Sequence, residues 1–256
     1  SYEEFLDFHR QYYHPSNSFI YLYGNMDMEE KLEFLDSHYL SAFDSLVIDS
    51  EIRDQEAFAQ VKDIQKPYPV SEDEGEEDNT YLSYNMVVGE AADINLSLAF
   101  EVLDYALLSA PGAPLKQALL DAKIGKDIYG SFEDGIKQTY FSIVAKGANL
   151  SQKEEFVKVI RDTLTKIAEE GIDKKAVTAG INYYEFRFRE ADFSSYPKGL
   201  MYGLDILSSW LYDDTKPFCE VQLLEGFEFL KKALEEGYFE ELIRKYLLGN
   251  THGAIL

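Results

Sequence analysis

The chain has 256 residues, of which 46% are hydrophobic and 14% aromatic, enough to bury the core of one large domain or two small ones. Its 47 acidic residues against 24 Lys and Arg give a net charge of -23, which argues against a nucleic-acid partner because phosphate binding needs clustered cations. No apolar run approaches the roughly 18 residues of a membrane span, and the single cysteine, Cys219, excludes an internal disulfide and a cysteine-based zinc cluster. We therefore expect a soluble protein of the reducing cytoplasm, without a membrane partner.

The first 47 residues predict a helix, a turn, a strand and a second helix. A capping box over residues 1–4 starts the first helix. The turn at 14–17 contains a proline, and the aromatic and β-branched residues at 18–23 predict a strand. Asp27 can then cap a helix that runs to about position 40. Because these elements supply too little apolar surface for their own core, we expect them to be the last part of a domain that begins upstream.

Residues 48–79 are predicted to form a connector between two domains. The sequence Lys-Pro-Tyr-Pro at 66–69 cannot be helical, and six of the seven residues at 72–78 are acidic. Such a run repels itself and is usually a solvated loop.

Residues 80–256 have the pattern of one complete domain. The alternation at 80–88 predicts a strand with one buried face, and Asp93 can cap the helix that follows. Strands near 128–132 and 138–146 predict an antiparallel hairpin. The order of strand, helix, hairpin and helices predicts an α+β fold, in which an antiparallel or mixed sheet is layered with helices.

The remainder of this domain is predicted to be helical up to a final strand. Ser151 and Glu154 have the spacing of a capping box, and Gly171 ends the helix that they start. The last five residues resemble the opening of a strand. Further helices are predicted at 173–190, 199–211, 217–236 and 238–248.

No motif that carries chemistry occurs in the chain. Phosphate-loop, dinucleotide, serine-hydrolase and dithiol motifs are absent, and so are HxxEH and HExxH. His9 and His14 are five residues apart, about 140° around a helix, so they do not face one metal ion together. On the helix at 173–190, Glu185 and Arg189 are spaced for an ion pair, with a substrate-contacting face as the functional alternative. We assign no catalytic residue and no metal ligand, and substrate-binding residues stay unknown.

One segment carries a family resemblance. Residues 12–27, Tyr-Tyr-His-Pro-Ser-Asn-Ser-Phe-Ile-Tyr-Leu-Tyr-Gly-Asn-Met-Asp, resemble the end of the first domain of pitrilysin/insulinase-family zinc metallopeptidases, most closely the presequence-protease-like branch. Residues 110–115, 181–186 and 248–252 are similar to the second, non-catalytic domain of the same proteins. The fold implied is that of the mitochondrial-processing-peptidase-like domains, preceded by a partial copy of the same kind of domain.

The resemblance implies a role within a larger enzyme. In this family two halves close around a peptide, and the zinc is held by HxxEH and a later Glu, upstream of the turn at 14–17. No such residue lies in this chain, so we expect no cofactor here and zinc in the parent enzyme. Residues 1–47 would end the catalytic-type first domain, and residues 80–256 would form the second domain. The expected partners are the remaining domains of the parent and an unfolded peptide.

We therefore predict a structural and substrate-chamber segment of a zinc-dependent metalloendopeptidase that is inactive by itself. Two alternatives remain. The chain could be a self-contained acidic module that binds basic proteins, because an acidic field concentrates cationic ligands. It could also be an independent enzyme that uses Glu and Asp alone, for which the sequence contains no diagnostic constellation.

Overall fold

Nine α-helices and five strands occur in the part of the chain that the structure, a computed structural model, describes: residues 1–71, 75 and 77–256. Part of the acidic run at 72–78 lies outside these residues. The helices are α1 (Tyr2–Tyr12), α2 (Met28–His38), α3 (Ile94–Asp104), α4 (Pro114–Asp121), α5 (Lys153–Glu170), α6 (Lys174–Glu190), α7 (Lys198–Trp210), α8 (Leu224–Ala233) and α9 (Tyr238–Leu242). The strands are β1 (Lys62–Asp63), β2 (Thr80–Glu90), β3 (Asp127–Glu133), β4 (Gln138–Ala148) and β5 (Gly253–Ile255).

The strands form one mixed sheet in the order β1-β5-β2-β4-β3. Only β1 and β5 pair in parallel, and the other neighbours are antiparallel. The predicted hairpin is β3–β4, and the strand expected in the last residues is β5. The α+β class with a mixed sheet and layered helices is therefore confirmed.

The core is formed by the sheet and by the helices that pack on it and on one another, among them α3 and α5. Alternate residues of β2, among them Tyr84 and Met86, are at most 1% exposed, so the predicted buried face is correct. Burial of each such side chain contributes roughly 1.5–3 kcal/mol. The Tyr84 hydroxyl, which would be costly to bury alone, donates to the Leu247 carbonyl at 2.6 Å. Asp93 accepts from the amide of Leu96 and thereby fixes the start of α3.

Residues 18–23, which we call the docked segment, are not a strand, and the prediction of one is wrong. Ser18 has extended backbone angles, but no described residue offers a strand beside the segment, and its backbone makes no ladder. The neighbouring helices α1 and α2 form with the predicted caps, Ser1 and Asp27, yet neither buries a residue. Residues 1–47 thus have correct local structure without a core of their own.

Two helix starts also differ from prediction. The capping box before α5 is formed by Asn149 and Gln152 rather than by Ser151 and Glu154, because a 3₁₀ turn precedes the helix. The helix predicted from 217 begins only at Leu224. The residues before it bend into a 3₁₀ turn, Cys219–Val221, in which the cysteine Sγ lies 3.1 Å from the Ser209 hydroxyl of α7. No described helix has both the length and the apolarity that crossing a membrane requires.

Candidate functional site

The docked segment lies against α7 through its alternate aromatic side chains. Phe19 meets Trp210 edge to face, with ring centroids 4.6 Å apart. Tyr21 and Tyr23 lie over two glycines of α7, and a Cβ added at Gly199 would come within 2.3 Å of the Tyr23 ring. The helix therefore needs glycine where the segment crosses it.

An open cleft of about 730 Å³ lies beside this contact. The docked segment and α7 form one wall, and the end of α6 with the residues before α8 forms the other. We call it the aromatic cleft, since Tyr21, Tyr23, Phe188, Tyr202 and Phe218 line it. Aliphatic side chains complete the lining, so the cleft suits an apolar group.

An ion-pair network supports the α6 wall of the cleft. Arg189, which lines the cleft, binds Glu185 at 2.6 Å, as the helical spacing predicted. Lys231 of α8 approaches the same carboxylate at 2.7 Å and also pairs with Glu228. The hydrogen bonds from Lys231 and Arg189 hold the pKa of Glu185 below its usual value. The network joins α6 to α8 and orients the arginine at the cleft.

Five carboxylates lie near enough to act on one another through their charges. They come from α3, the β3–β4 turn, α7 and the 3₁₀ turn, and all five are partly buried. Two of them, Asp205 and Glu220, directly precede residues that line the aromatic cleft, Ile206 and Val221. The carboxylates and the cleft therefore lie on neighbouring faces of α7 and of the 3₁₀ turn. We call this group the carboxylate cluster: Glu101, Asp104, Asp134, Asp205 and Glu220.

The carboxylates of the cluster resist ionisation. Burial, together with the charges of Asp134 and Glu220, raises the pKa of Glu101 from 4.5 to about 8. Burial and the charges of Asp134 and Asp205 raise the pKa of Glu220 to about 7. Burial also raises the pKa of Asp104, and the pKa values of the two other aspartates are raised in the same way. Perturbed groups gathered at one place mark a candidate binding site.

No described residues are arranged as a metal centre: no three or more His, Cys, Asp or Glu side chains lie together in a way that could hold a metal ion. Each histidine instead has a structural contact. His9 stacks on Tyr13, His38 stacks on Phe34, His14 accepts from the amide of Ser16, and His252 accepts from the amide of Phe58. These residues do not fit a zinc site.

Sequence reasoning found the ion pair of α6 but missed the carboxylate cluster and the aromatic cleft. Cys219 is half-buried and lies near the Ser209 hydroxyl and the Lys216 carbonyl. The cluster had no local signal, because its members are scattered over the chain and acids are frequent everywhere in it.

Comparison with known proteins gives a consistent result. The family profile described as "Peptidase M16 inactive domain" matches residues 1–184. Over 256 residues, the chain is 46% identical to "Protein HypA" of Clostridium perfringens, covering 100% of this chain and 26% of that protein. It is 36% identical to "Presequence protease 1, chloroplastic/mitochondrial" of Arabidopsis thaliana, covering 98% of this chain and 24% of that protein. The chain thus spans about a quarter of the length of these relatives.

Solved structures share the fold. A protease from Helicobacter pylori superposes with a TM-score of 0.69 at 16% identity, covering 100% of this chain and 58% of that one. A peptidase M16 inactive domain from Pseudomonas fluorescens gives a TM-score of 0.58 at 14% identity, covering 91% of this chain and 52% of that one. At these identities the likeness concerns the fold.

Proposed function

This chain belongs to the peptidase M16 family, the pitrilysin/insulinase family, as a presequence-protease-like member, and we propose that it is a non-catalytic wall of that enzyme's substrate chamber. The observation that carries the proposal is the alignment with the Arabidopsis presequence protease, which takes in nearly all of this chain and only a quarter of that protein. The match to the inactive domain of the family supports the non-catalytic role. The parent would be a zinc metalloendopeptidase of the cytoplasm that degrades unfolded peptides.

Zinc would be held by another part of the parent. Hydrolysis of a peptide bond in such enzymes needs a metal that activates water, and the described residues of this chain do not fit that group. The role left to this chain is to bind and orient substrate and to brace the catalytic part. Residues 1–47, which have exposed apolar side chains and no core, would dock against that part.

Unfolded, cationic peptide is the substrate that suits the surface of this chain. The aromatic cleft offers apolar contacts, and the exposed carboxylates elsewhere on the chain offer negative charge. Together with the net charge of -23, they would attract a peptide that carries both apolar and basic residues. The self-contained acidic module remains the alternative, because the same charge would attract folded basic proteins.

A binding assay with a fluorescent, unstructured, arginine-rich peptide distinguishes the chamber wall from the self-contained acidic module. The proposal expects weak binding that declines as salt rises, and competition by unfolded but not by folded basic protein. Tight binding of a folded basic protein, with no effect of the unfolded peptide, would instead support the acidic module. Substitution Phe188→Ala should weaken binding of the peptide. Substitution Phe229→Ala, at an exposed phenylalanine outside the aromatic cleft, should leave binding unchanged.

A further inference from the structure

The aromatic cleft differs in charge from the rest of the chain. Of the described residues that line it, only Arg189 carries a charge and none is acidic, although the chain contains 47 Asp and Glu residues. The other lining residues are tyrosines, phenylalanines and aliphatic residues. The lining therefore combines apolar surface with one positive charge, which is complementary to an apolar group that carries a negative charge.

The guanidinium of Arg189 keeps donors for a second carboxylate. Its Nε and Nη2 atoms donate to one oxygen of Glu185, at 2.8 and 2.6 Å. No described residue accepts a hydrogen bond from its Nη1 atom. The Arg189 side chain is 56% exposed, whereas that of Glu185 is 13% exposed. Because the more buried carboxylate holds one edge of the planar guanidinium, the other edge is fixed in orientation and can bind a further carboxylate.

Three tyrosines add hydroxyl donors to the lining. The ring centroid of Tyr23 lies 6.4 Å from that of Tyr21 and 5.8 Å from that of Tyr202, so the three rings are neighbours. None of their hydroxyls makes a hydrogen bond with a described residue. Burial raises the pKa of Tyr21, and the other two tyrosines and Asp205 act in the same direction, so its hydroxyl keeps the proton that it can donate. Asp205 opposes an anion, but it lies outside the lining.

Apolar surface for a side chain lies beside these donors. Phe188 precedes Arg189 in the chain, and its ring centroid lies 6.1 Å from that of Phe227, which is 1% exposed and anchors it to the core. Phe218 and Leu224 are 55% and 40% exposed, so part of the lining remains open to a ligand. The volume of about 730 Å³ lies in the range of pockets that bind small molecules, and it accommodates one large side chain with its carboxylate.

We propose that the aromatic cleft binds the C-terminal residue of an unfolded peptide. The terminal carboxylate binds Arg189, and an aromatic or large aliphatic side chain lies against Phe188 and Phe218. Only the last residue of a peptide carries a free α-carboxylate beside its own apolar side chain, so only that residue matches both features of the cleft. Basic residues nearer the start of the peptide remain in the field of the acidic surface. This inference rests on the proposed function, because it assumes that the cleft belongs to a peptide-binding wall.

Two peptides that differ only in their last group test the proposal. Both are fluorescent, unstructured and arginine-rich and end in phenylalanine, one as the free acid and the other as the amide. The net charge of -23 on its own favours the amide, because that peptide carries one negative charge fewer. We expect the opposite order in fluorescence anisotropy, with the free acid bound roughly fivefold more tightly, which is the upper range for a solvent-exposed ion pair.

A third peptide and two variants make the assignment specific. A free acid that ends in glycine, with the phenylalanine moved to the interior, should bind more weakly than the first peptide. In Arg189→Gln the preference for the free acid over the amide should be lost. Arg187→Gln is the matched control, because it removes a charge from the same helix at an exposed residue outside the lining, and it should keep the preference.

Each result bears on the proposal. Equal affinity for acid and amide, or tighter binding of the amide, would overturn the inference and leave the proposed function standing. Absence of arginine-dependent binding by every peptide would overturn both. A preference for the acid that persists in Arg189→Gln would place the terminal carboxylate elsewhere and contradict the proposal.

Two other occupants of the cleft give results of their own. If the third peptide binds as tightly as the first, the cleft takes an internal side chain. If light scattering detects a dimer of the chain that Phe188→Ala disrupts, a second copy fills the cleft. Either result would contradict the proposal.

Discussion

The ring of Tyr23 lies directly against Gly199, so closely that a Cβ on the glycine would be 2.3 Å from Cδ1 of the tyrosine. The docked segment has no backbone ladder, and ring contacts of this kind therefore hold it on α7. The same contacts form one wall of the aromatic cleft. The shape of the cleft thus depends on the glycines of α7, which leave room for the tyrosine rings that cross the helix.

Substitution Gly199→Ala should displace the docked segment. The added methyl group must push the tyrosine away, and overpacking of this kind costs roughly 1–3 kcal/mol. Trp210, the single tryptophan, contacts Phe19 of the segment and reports the change as a red shift of its fluorescence. The matched control is Gly135→Ala, because a Cβ there meets nothing within 4 Å. Unchanged emission in the first variant would show that the segment is not held by this contact.

Substitution Glu101→Gln should stabilise the chain, and the gain should grow with pH. A carboxyl whose pKa is raised by folding binds more protons in the native than in the unfolded state, so the native chain loses stability as pH rises from 4.5 to about 8. Glutamine cannot ionise and escapes this loss. The gain is small at pH 4.5 and reaches at most roughly 5 kcal/mol above pH 8, since each unit of pKa shift is worth about 1.4 kcal/mol.

Urea unfolding at pH 5 and pH 8.5 measures this difference, with Glu155→Gln as the control that should follow the native chain at both values. A Glu101→Gln gain that is equal at the two pH values, or larger at pH 5, would show that this carboxyl is not held protonated by its surroundings.

Local sequence patterns were sufficient for most of the fold. The alternation in β2, the cap at Asp93 and the helix-ending Gly171 act through neighbouring residues, and each was predicted correctly. The start of α8 was not, because contacts of Cys219 with α7 bend the preceding residues away from a helix. The prediction of a strand in the docked segment also failed, because extended residues become a strand only when a partner strand lies beside them.

The candidate site depended on contacts that no local pattern encodes. The carboxylate cluster joins residues as distant in the chain as Glu101 and Glu220, and their burial, which raises the pKa values, comes from packing of four elements. Likewise, the glycines of α7 resemble ordinary helix positions until the tyrosines of the docked segment are placed on them. The family resemblance predicted the absence of catalytic residues but not where this surface would lie.

The most direct test of the non-catalytic role compares this chain with its full-length parent in one peptidase assay. The purified chain and the parent are each incubated with an unstructured arginine-rich peptide, with added zinc or with a chelator, and the products are read by mass spectrometry. We predict cleavage by the parent that the chelator abolishes, and no cleavage by this chain under either condition, because the residues that the structure describes do not fit a zinc site. Chelator-sensitive cleavage that copurifies with this chain through ion exchange would contradict the account.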